Sequence, residues 1–327
     1  MNGKKTNILN HILGVLKSNK SFFIAGHLRP DGDCIGSQLA LASLLRRLGK
    51  KVEIYSHDQL PLYAGFLPGI KKIRIARKIK KKYDVAIILE CSDPLRMGNI
   101  IDLEKQVKTV INIDHHAYHT YFGDLNFIDA QASSVAEQIY KLFLRSDLPL
   151  NTDEATWLYL GIVTDTGRFQ HLNTKAQSLR TAAQLLEAGA NPTKINRWVY
   201  GTKSYSSLLL LSKVLATLKL AAKGEIAYVV LSKEMYRRIG NNIHDTEEMI
   251  DFPTMVPGVK ISLFFKETEE SENIKISFRS VEGVDVNKLA VQLGGGGHKN
   301  AAGVSLPGSL NSVCKKVLRL AEQALKT

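Results

Sequence analysis

Cysteine is scarce in this 327-residue chain, which has three: Cys34, Cys91 and Cys314. They are widely spaced and odd in number, so they supply neither a disulfide framework nor a CxxC metal pair. A reducing cytosol is the expected compartment. Long apolar runs are missing as well. No stretch approaches the ~20 apolar residues of a spanning helix. The amino-terminal MNGKKTNILNHILGVLKSNK lacks the apolar core of a signal peptide. It reads instead as an amphipathic helix with Leu9, Ile12, Leu13 and Leu16 on one side, so neither membrane insertion nor export is expected. Repeats and low-complexity tracts are absent. With 44% hydrophobic and 23% charged residues, usage is ordinary for a globular chain, which excludes a disordered or collagen-like protein. The length suggests two domains.

Acidic residues are the other shortage. Lys and Arg number 44 against 31 Asp and Glu, a net charge of +13. Residues 1–100 carry 18 bases against 7 acids, and eight bases fall in Lys71–Lys82, KKIRIARKIKKK, with no acid among them. Such a surplus favours polyanionic partners, nucleic acid or phosphate-rich ligands. A solvated surface face accounts for it equally well. Only Tyr83 adjoins the run, so it reads as a basic rim rather than a base-stacking platform.

The first half alternates apolar runs of strand length with helical patterns. Strands are expected at Ser21–His27, Lys51–His57, Asp84–Ser92 and Lys108–His116, with a helix over Cys34–Leu48 that Gly49 ends. Near-continuous apolar strands joined by helices predict an α/β domain with a mostly parallel sheet flanked by helices. Further helices are expected over Val135–Leu144, Asp153–Asp165 and Thr174–Ala188, starting near Ser134, Thr152 and Asn173. Gly, Pro and Ser punctuate Gly189–Ser207, where the domain boundary is expected. Beyond it, EIAYVVLS, KISLFFKE and NIKISFRS alternate with period two. A helix near Val286–Leu293, a glycine cluster, a short strand and a helix over Leu310–Ala324 complete a smaller α+β domain.

Metal-capable side chains gather where apolar strands end. The first strand runs into His27-Leu28-Arg29-Pro30-Asp31-Gly32-Asp33. The third ends at Glu90 and the fourth at Asp114-His115-His116, while a helix delivers Asp165. Each piece alone is weak, because Asp and Gly are common in turns. Carboxyl ends of parallel strands, however, are where open α/β sheets bind ligands. Mixed carboxylate and imidazole donors suit Mn²⁺, Fe²⁺ or Zn²⁺, and six of them are enough for two ions. A pair of divalent ions ~3.5–4 Å apart activates water for in-line attack on phosphorus. In the second half, Gly294-Gly295-Gly296-Gly297-His298 forms a run in which backbone approaches a ligand closely and amides turn toward an anion. Arg279 ends a β run and suits a bidentate phosphate contact. A surface ion pair with Glu267, Glu269 or Glu282 is the plainer account of Arg279.

HLRPDGD (His27–Asp33), Asp114-His115-His116 and GGGGHKNAAG (Gly294–Gly303) together resemble the DHH phosphoesterases with a carboxy-terminal DHH-associated domain, over nearly the whole chain. The two-domain length is similar to the compact nanoRNase/pAp phosphatase type. The RecJ-type exonucleases are longer, the membrane-bound cyclic di-AMP phosphodiesterases carry segments ahead of the position of His27, and the manganese pyrophosphatases lack the GGGH loop.

The resemblance implies a catalytic domain over 1–190, a linker over 191–210 and a substrate-binding DHH-associated domain over 211–327, with the active site in the cleft between them. It implies a cytoplasmic metal-dependent phosphohydrolase, often dimeric. Such an enzyme would degrade short single-stranded oligonucleotides to mononucleotides and dephosphorylate 3′-phosphoadenosine 5′-phosphate (pAp), using two divalent ions, usually Mn²⁺. His27 and Asp31 would hold one ion; Asp33, His115 and Asp165 the second; Glu90 would bridge them. His116 would face the scissile phosphate as hydrogen-bond donor or general acid, and Asp114 would orient His115. Arg279 and Gly295, Gly296, Gly297 and His298 would grip the substrate. The family most often has Asp where this chain has Glu90. That departure leaves open a nucleotide-binding regulatory protein with weakened catalysis, and relatives that act on cyclic di-AMP or its linear product leave open a phosphodiesterase of that kind.

Overall fold

The structure is a computed structural model that describes residues 2–116, 118–239, 246–267, 272–281 and 283–325, without the side chains of 2–6, 238, 247 and 298. The chain divides into two compact units, Met1–Thr202 and Lys203–Thr327.

The first unit is built on a six-stranded sheet, all of whose pairings are parallel. Its strands are β1 (Ser21–Ala25), β2 (Lys51–Ser56), β3 (Ile73–Ile75), β4 (Tyr83–Leu89), β5 (Val107–Asp114) and β6 (Leu125–Ile128), in the order β3-β2-β1-β4-β5-β6. The unbroken apolar runs of β1 and β4 have a simple cause: both faces are covered. Phe22 and Ile24 enter the core shared with the helices, while Phe23 and Ala25 meet Met97, Ile100 and Ile101 on the opposite face. Two strands have no counterpart in the sequence reading. β6 has only four residues. β3 lies inside the basic run, where Arg74 and Ile75 are exposed and only Ile73 is buried, so charge masks the alternation. Basic side chains on such an edge also discourage pairing with another chain.

Among the described residues the α-helices beside this sheet are α1 (Asn2–Ser18), α2 (Gly32–Arg47), α3 (Leu103–Gln106), α4 (Val135–Phe143), α5 (Thr152–Asp165), α6 (Ala176–Glu187) and α7 (Pro192–Val199). Leu9, Ile12, Leu13 and Leu16 of α1 are buried, as their spacing requires. Ser134 caps α4 through the Glu137 amide. α5 is capped by Asn151 rather than Thr152, in a box closed by Glu154. α2 and α5 come together through glycines: a Cβ on Gly36 would stand 2.2 Å from the Trp157 carbonyl oxygen, and one on Gly161 would stand 2.5 Å from Asp33 Oδ1. α7 lies inside the stretch read as a linker. Asn191 caps it, Pro192 occupies its first turn, and Ile195 and Val199 join the core of the first unit. Proline at a helix start is as natural as in a loop, so the same punctuation opens a helix here.

The second unit contains α8 (Tyr205–Leu215), β7 (Lys219–Ala221), β8 (Ile226–Leu231), α9 (Lys233–Ile239), α10 (Asp251–Thr254), β9 (Ile261–Glu267), β10 (Asn273–Ser280), α11 (Val286–Gln292), β11 (Gly296–His298), β12 (Ala301–Pro307) and α12 (Leu310–Ala324). Its six strands run in the order β11-β12-β10-β9-β8-β7. β8 and β9 pair in parallel and the other pairs are antiparallel. Val313, Val317 and Ala321 of α12 pack into a core with β9 and β10. Leu210 and Val214 of α8 form a second core with Val229 and Phe264.

Candidate metal centre and active site

The strand order of the first unit reverses between β1 and β4, the position at which doubly wound sheets open a crevice at their carboxyl ends. β1 leads into His27, β4 into Glu90 and β5 into Asp114-His115-His116. α2 starts at the same end and carries Asp31 and Asp33, while α5 ends there with Asp165. Topology alone thus brings six sequence-distant donors to one end of the sheet.

Glu90 lies at the middle of the group. Its backbone has φ +58°, a left-handed turn at the end of β4, and its amide donates to the Ile113 carbonyl at 3.0 Å. Its Oε2 is 3.6 Å from His27 Nε2 and its Oε1 is 3.7 Å from His115 Nε2. His27 Nε2 is also 3.8 Å from Asp31 Oδ1, and His115 Nε2 is 3.5 Å from Asp165 Oδ2. His27 Nδ1 faces the Leu28 carbonyl at 2.7 Å. A proton held there leaves Nε2 as the coordinating atom. Asp33 is fully buried and fixed by three donors: Ser37 Oγ at 3.1 Å and the amides of Val135 and Ala136 at 2.6 and 2.8 Å. Its carboxylate thereby caps the amino terminus of α4. Asn173 donates to the Asp165 side chain at 3.4 Å and to the Asp165 and Ser133 carbonyls at 3.0 Å each.

Asp114 acts on a different histidine from the one expected. Its Oδ1 accepts from the His116 ring Nδ1 at 2.7 Å. It meets His115 only through that residue's backbone amide, at 2.8 Å. The reason is geometric: a carboxylate at a strand end reaches the ring two residues on, while the intervening side chain points away. Arg96 Nη1 lies 3.4 Å from His116 Nε2, and His119 Nδ1 lies 3.8 Å from Asp114 Oδ2. Arg96, His119 and Asn173 escaped the sequence reading. Asp93-Pro94 did announce the turn that carries Arg96, since Asp93 caps it and Pro94 opens it.

The electrostatics follow from four carboxylates beside two imidazoles. Burial would depress His27, but the Asp31 and Glu90 carboxylates outweigh it and raise its pKa to about 11. Burial opposes His115 likewise, and Glu90 and Asp165 raise it to about 10. Burial pushes Asp165 up to about 8, with Glu90 and Asp31 adding to the effect. Burial also raises Asp33 well above the carboxylate range. For Glu90, burial acts upward, but His115 and His27 hold it below its ordinary value. The four acids outnumber the two imidazoles, and the crowding shows on Asp165 and Asp33, the two acids pushed upward.

These residues fit divalent cations. The buried Glu90 Oε2 has no hydrogen-bond partner among the described residues. The donor-to-donor separations of 3.5–3.8 Å exceed hydrogen-bond lengths. They are close to what two atoms, each about 2.1 Å from a shared ion, leave between them. Two groups of donors gather within 4.8 Å: His27, Cys34 and Glu90, and Asp33, His115 and Asp165. Cys34, which the sequence reading left out of the site, is a buried thiol whose pKa burial raises.

In the second unit, Arg279 ends β10 as expected. Its Nε lies 3.7 Å from Asp251 Oδ1, a different acid from those the sequence suggested; Glu269 and Glu282 lie outside the described residues. The second half of the glycine run is strand, while Gly294 and Gly295 lie outside it, after α11. Gly296–His298 form β11, paired with Ala301–Gly303 of β12. A Cβ on Gly295 would stand 2.2 Å from the Gly303 carbonyl oxygen, and one on Gly297 would stand 2.5 Å from that of Ala301. Close backbone packing therefore accounts for two of the four glycines. The His298 side chain lies outside the described residues.

Comparison with known proteins agrees with this geometry. Residues 21–162 match the model of the DHH family, N-terminal domain, and residues 226–327 match that of the DHHA1 domain. The chain is 32% identical to the bifunctional oligoribonuclease and PAP phosphatase NrnA of Thermus thermophilus, over 93% of this chain and 90% of the relative. The protein of that name from Bacillus subtilis is 30% identical, over 86% and 87%. The crystal structure of an exopolyphosphatase-related protein from Bacteroides fragilis superposes with a TM-score of 0.92 at 28% identity, covering 98% of each chain. Among the described residues, no helix is long and apolar enough to cross a membrane.

Proposed function

The chain belongs to the DHH family of phosphoesterases, and from that premise we propose that it hydrolyses short single-stranded oligonucleotides to mononucleotides and removes phosphate from pAp, with two divalent ions, Mn²⁺ foremost, as cofactor. The observation that carries this reading is the placement of the Glu90 carboxylate between His27 and His115, one oxygen toward each. This placement favours catalysis over the regulatory alternative, since the longer side chain still reaches both imidazoles. His27, Asp31 and Glu90 would hold one ion, with Glu90, Asp33, His115 and Asp165 holding the other. Bound there, the ions supply Lewis-acid activation of water and neutralise charge on the phosphoryl oxygens.

The chain's own residues do the rest. Asp33 is held rigid by the α4 amides, so its donor atoms need no reorganisation. Asp114 fixes the His116 ring through Nδ1, which leaves Nε2 to work as the acid. Arg96 stands at that nitrogen and would pair with a substrate phosphate. A proton on Nε2 would then pass to the leaving oxygen. Arg279, Gly295, Gly296, Gly297 and His298 would take the remaining phosphates of the substrate.

The test is mononucleotide release from a 5′-phosphorylated RNA dinucleotide, from pAp and from the linear dinucleotide of cyclic di-AMP, with Mn²⁺ and with EDTA. Metal-dependent turnover of the first two, lost in Asp33→Ala, is expected. Folded, metal-loaded protein without turnover on any substrate would sink the proposal.

A further inference from the structure

Beside the metal centre, the first unit carries a groove that this mechanism does not use. α5 ends at Asp165, and the next turn holds Gly167, Arg168 and Phe169 at φ +54°, +61° and +65°. Two successive non-glycine residues in the left-handed region are costly and concentrate at ligand clamps. The turn is pinned: the Arg168 amide donates to the Val163 carbonyl at 2.8 Å and the Phe169 amide to Thr166 Oγ1 at 3.1 Å. It presents the Arg168 guanidinium 4.7 Å above the Tyr200 ring.

Two open cavities flank α7 beyond this turn. One, of about 600 Å³, is lined by Arg168, Phe169, Arg197 and Tyr200 among others. The next, of about 630 Å³, includes Phe66, Lys194, Arg197 and Trp198. Arg197 borders both, and among the described residues no acidic one lines either. In the second cavity the rings of Phe66 and Trp198 lie 6.2 Å apart and nearly parallel, with Lys194 Nζ 4.7 Å over the indole. Phe66 is 53% exposed, so its ring is open to a ligand. Aromatic faces thus alternate with cations along a single path that starts next to Asp165.

We infer that this path is a binding track for the uncleaved nucleotides of a single-stranded oligonucleotide, with bases stacking on Trp198, Phe66 and Tyr200 and phosphates paired with Arg168, Arg197 and Lys194. Alternation of π-faces and positive charge is the chemistry that recognises single strands without sequence preference. An acidic peptide would use the cations and leave the rings idle. The inference rests on the proposed phosphohydrolase activity and deepens it: chains of several nucleotides, rather than dinucleotides alone, are the substrates the surface is shaped for.

The experiment measures affinity of the full chain with Mn²⁺ for phosphorothioate RNA of two and of five residues, which resist hydrolysis. The pentamer is expected to bind at least about tenfold more tightly than the dimer. Arg197→Ala and Trp198→Ala should each weaken pentamer binding about five- to a hundredfold and close that gap, while Trp198→Phe preserves it. Arg197 is exposed, so its variant stays folded and decides the matter should Trp198→Ala melt early. Equal binding of the two lengths by the wild type, or a gap unchanged in Arg197→Ala, overturns the track. Hydrolysis of an ordinary dinucleotide is scored separately. Its presence without a length effect removes the track alone, and a length effect without any hydrolysis removes the phosphohydrolase reading alone.

Discussion

Glu90 Oε2 stands 3.6 Å from His27 Nε2, buried and without a hydrogen bond among the described residues. A carboxylate left so is arranged for a cation. Glu90→Gln keeps the shape and removes the charge shared by both donor groups. Bound metal should fall below that of the wild type, and hydrolysis should drop at least about 100-fold, as expected when the reacting geometry is lost. Metal analysis of the purified variant, read with its turnover, checks this. Full metal content at normal rate would remove Glu90 from the bridging role.

Metal binding should release protons. Without cations, His27 and His115 hold theirs until about pH 11 and 10, and Asp165 until about pH 8. Coordination requires these atoms bare, so adding Mn²⁺ at pH 7 should liberate about two or more protons per chain, measurable in weakly buffered solution.

The same groups set a stability trend. All three bind protons more tightly when folded, so the metal-free protein gains from them at low pH. Asp165 loses that gain between its unfolded value and about 8, and the two histidines lose theirs as pH rises from about 6.5 through 10 to 11. The Tm of metal-free protein should therefore be lower at pH 9 than at pH 6, and Mn²⁺ should raise it more at pH 9. Thermal melts at the two values, with and without the ion, decide it.

Asp114 holds His116 through Nδ1 at 2.7 Å. Asp114→Asn keeps an oxygen for the same backbone amides and for the ring Nδ1 but removes the negative charge that faces the ring. Turnover should fall about 10²- to 10⁴-fold, with metal content unchanged. A variant that loses its metal instead would place Asp114 among the residues that build the metal site.

Gly161 gives α5 its close approach to α2. Gly161→Ala sets a methyl 2.5 Å from Asp33 Oδ1 and 2.6 Å from the Ala136 Cβ. Overpacking of this kind costs about 1–3 kcal/mol. Denaturant melts should show the loss together with weakened metal affinity, since Asp33 is the atom group displaced.

Much of this architecture could be read from residue order. The apolar runs located β1, β2, β4 and β5, and the functional groups at their ends followed from one rule about parallel sheets. Ser134 and the α12 boundaries were legible from local chemistry. What escaped depends on distance in sequence. Nothing in the string around Asp33 reveals that its partners are the amides of Val135 and Ala136, and nothing around Asp114 reveals which neighbouring ring it meets. β3 was hidden because side-chain charge dominated a three-residue strand. α7 is not legible within 191–210 because Pro192 serves a helix start as readily as a turn. Arg96 belongs to a segment whose local pattern says only "turn", and Asn173 reads as the cap of α6, a position that Lys175 holds instead.

The order in which the site's donors leave the ribosome follows from the topology. His27, Asp31, Asp33, Glu90 and His115 all precede Asp165, which arrives with the last turn of α5. Residues 203–327 form a separate unit and contribute none of the six. A nascent chain should therefore become able to retain its ions as soon as α5 docks, while the second unit is still being synthesised. Ions bound there would then seal early the unit whose strand pairings span the longest stretches of sequence.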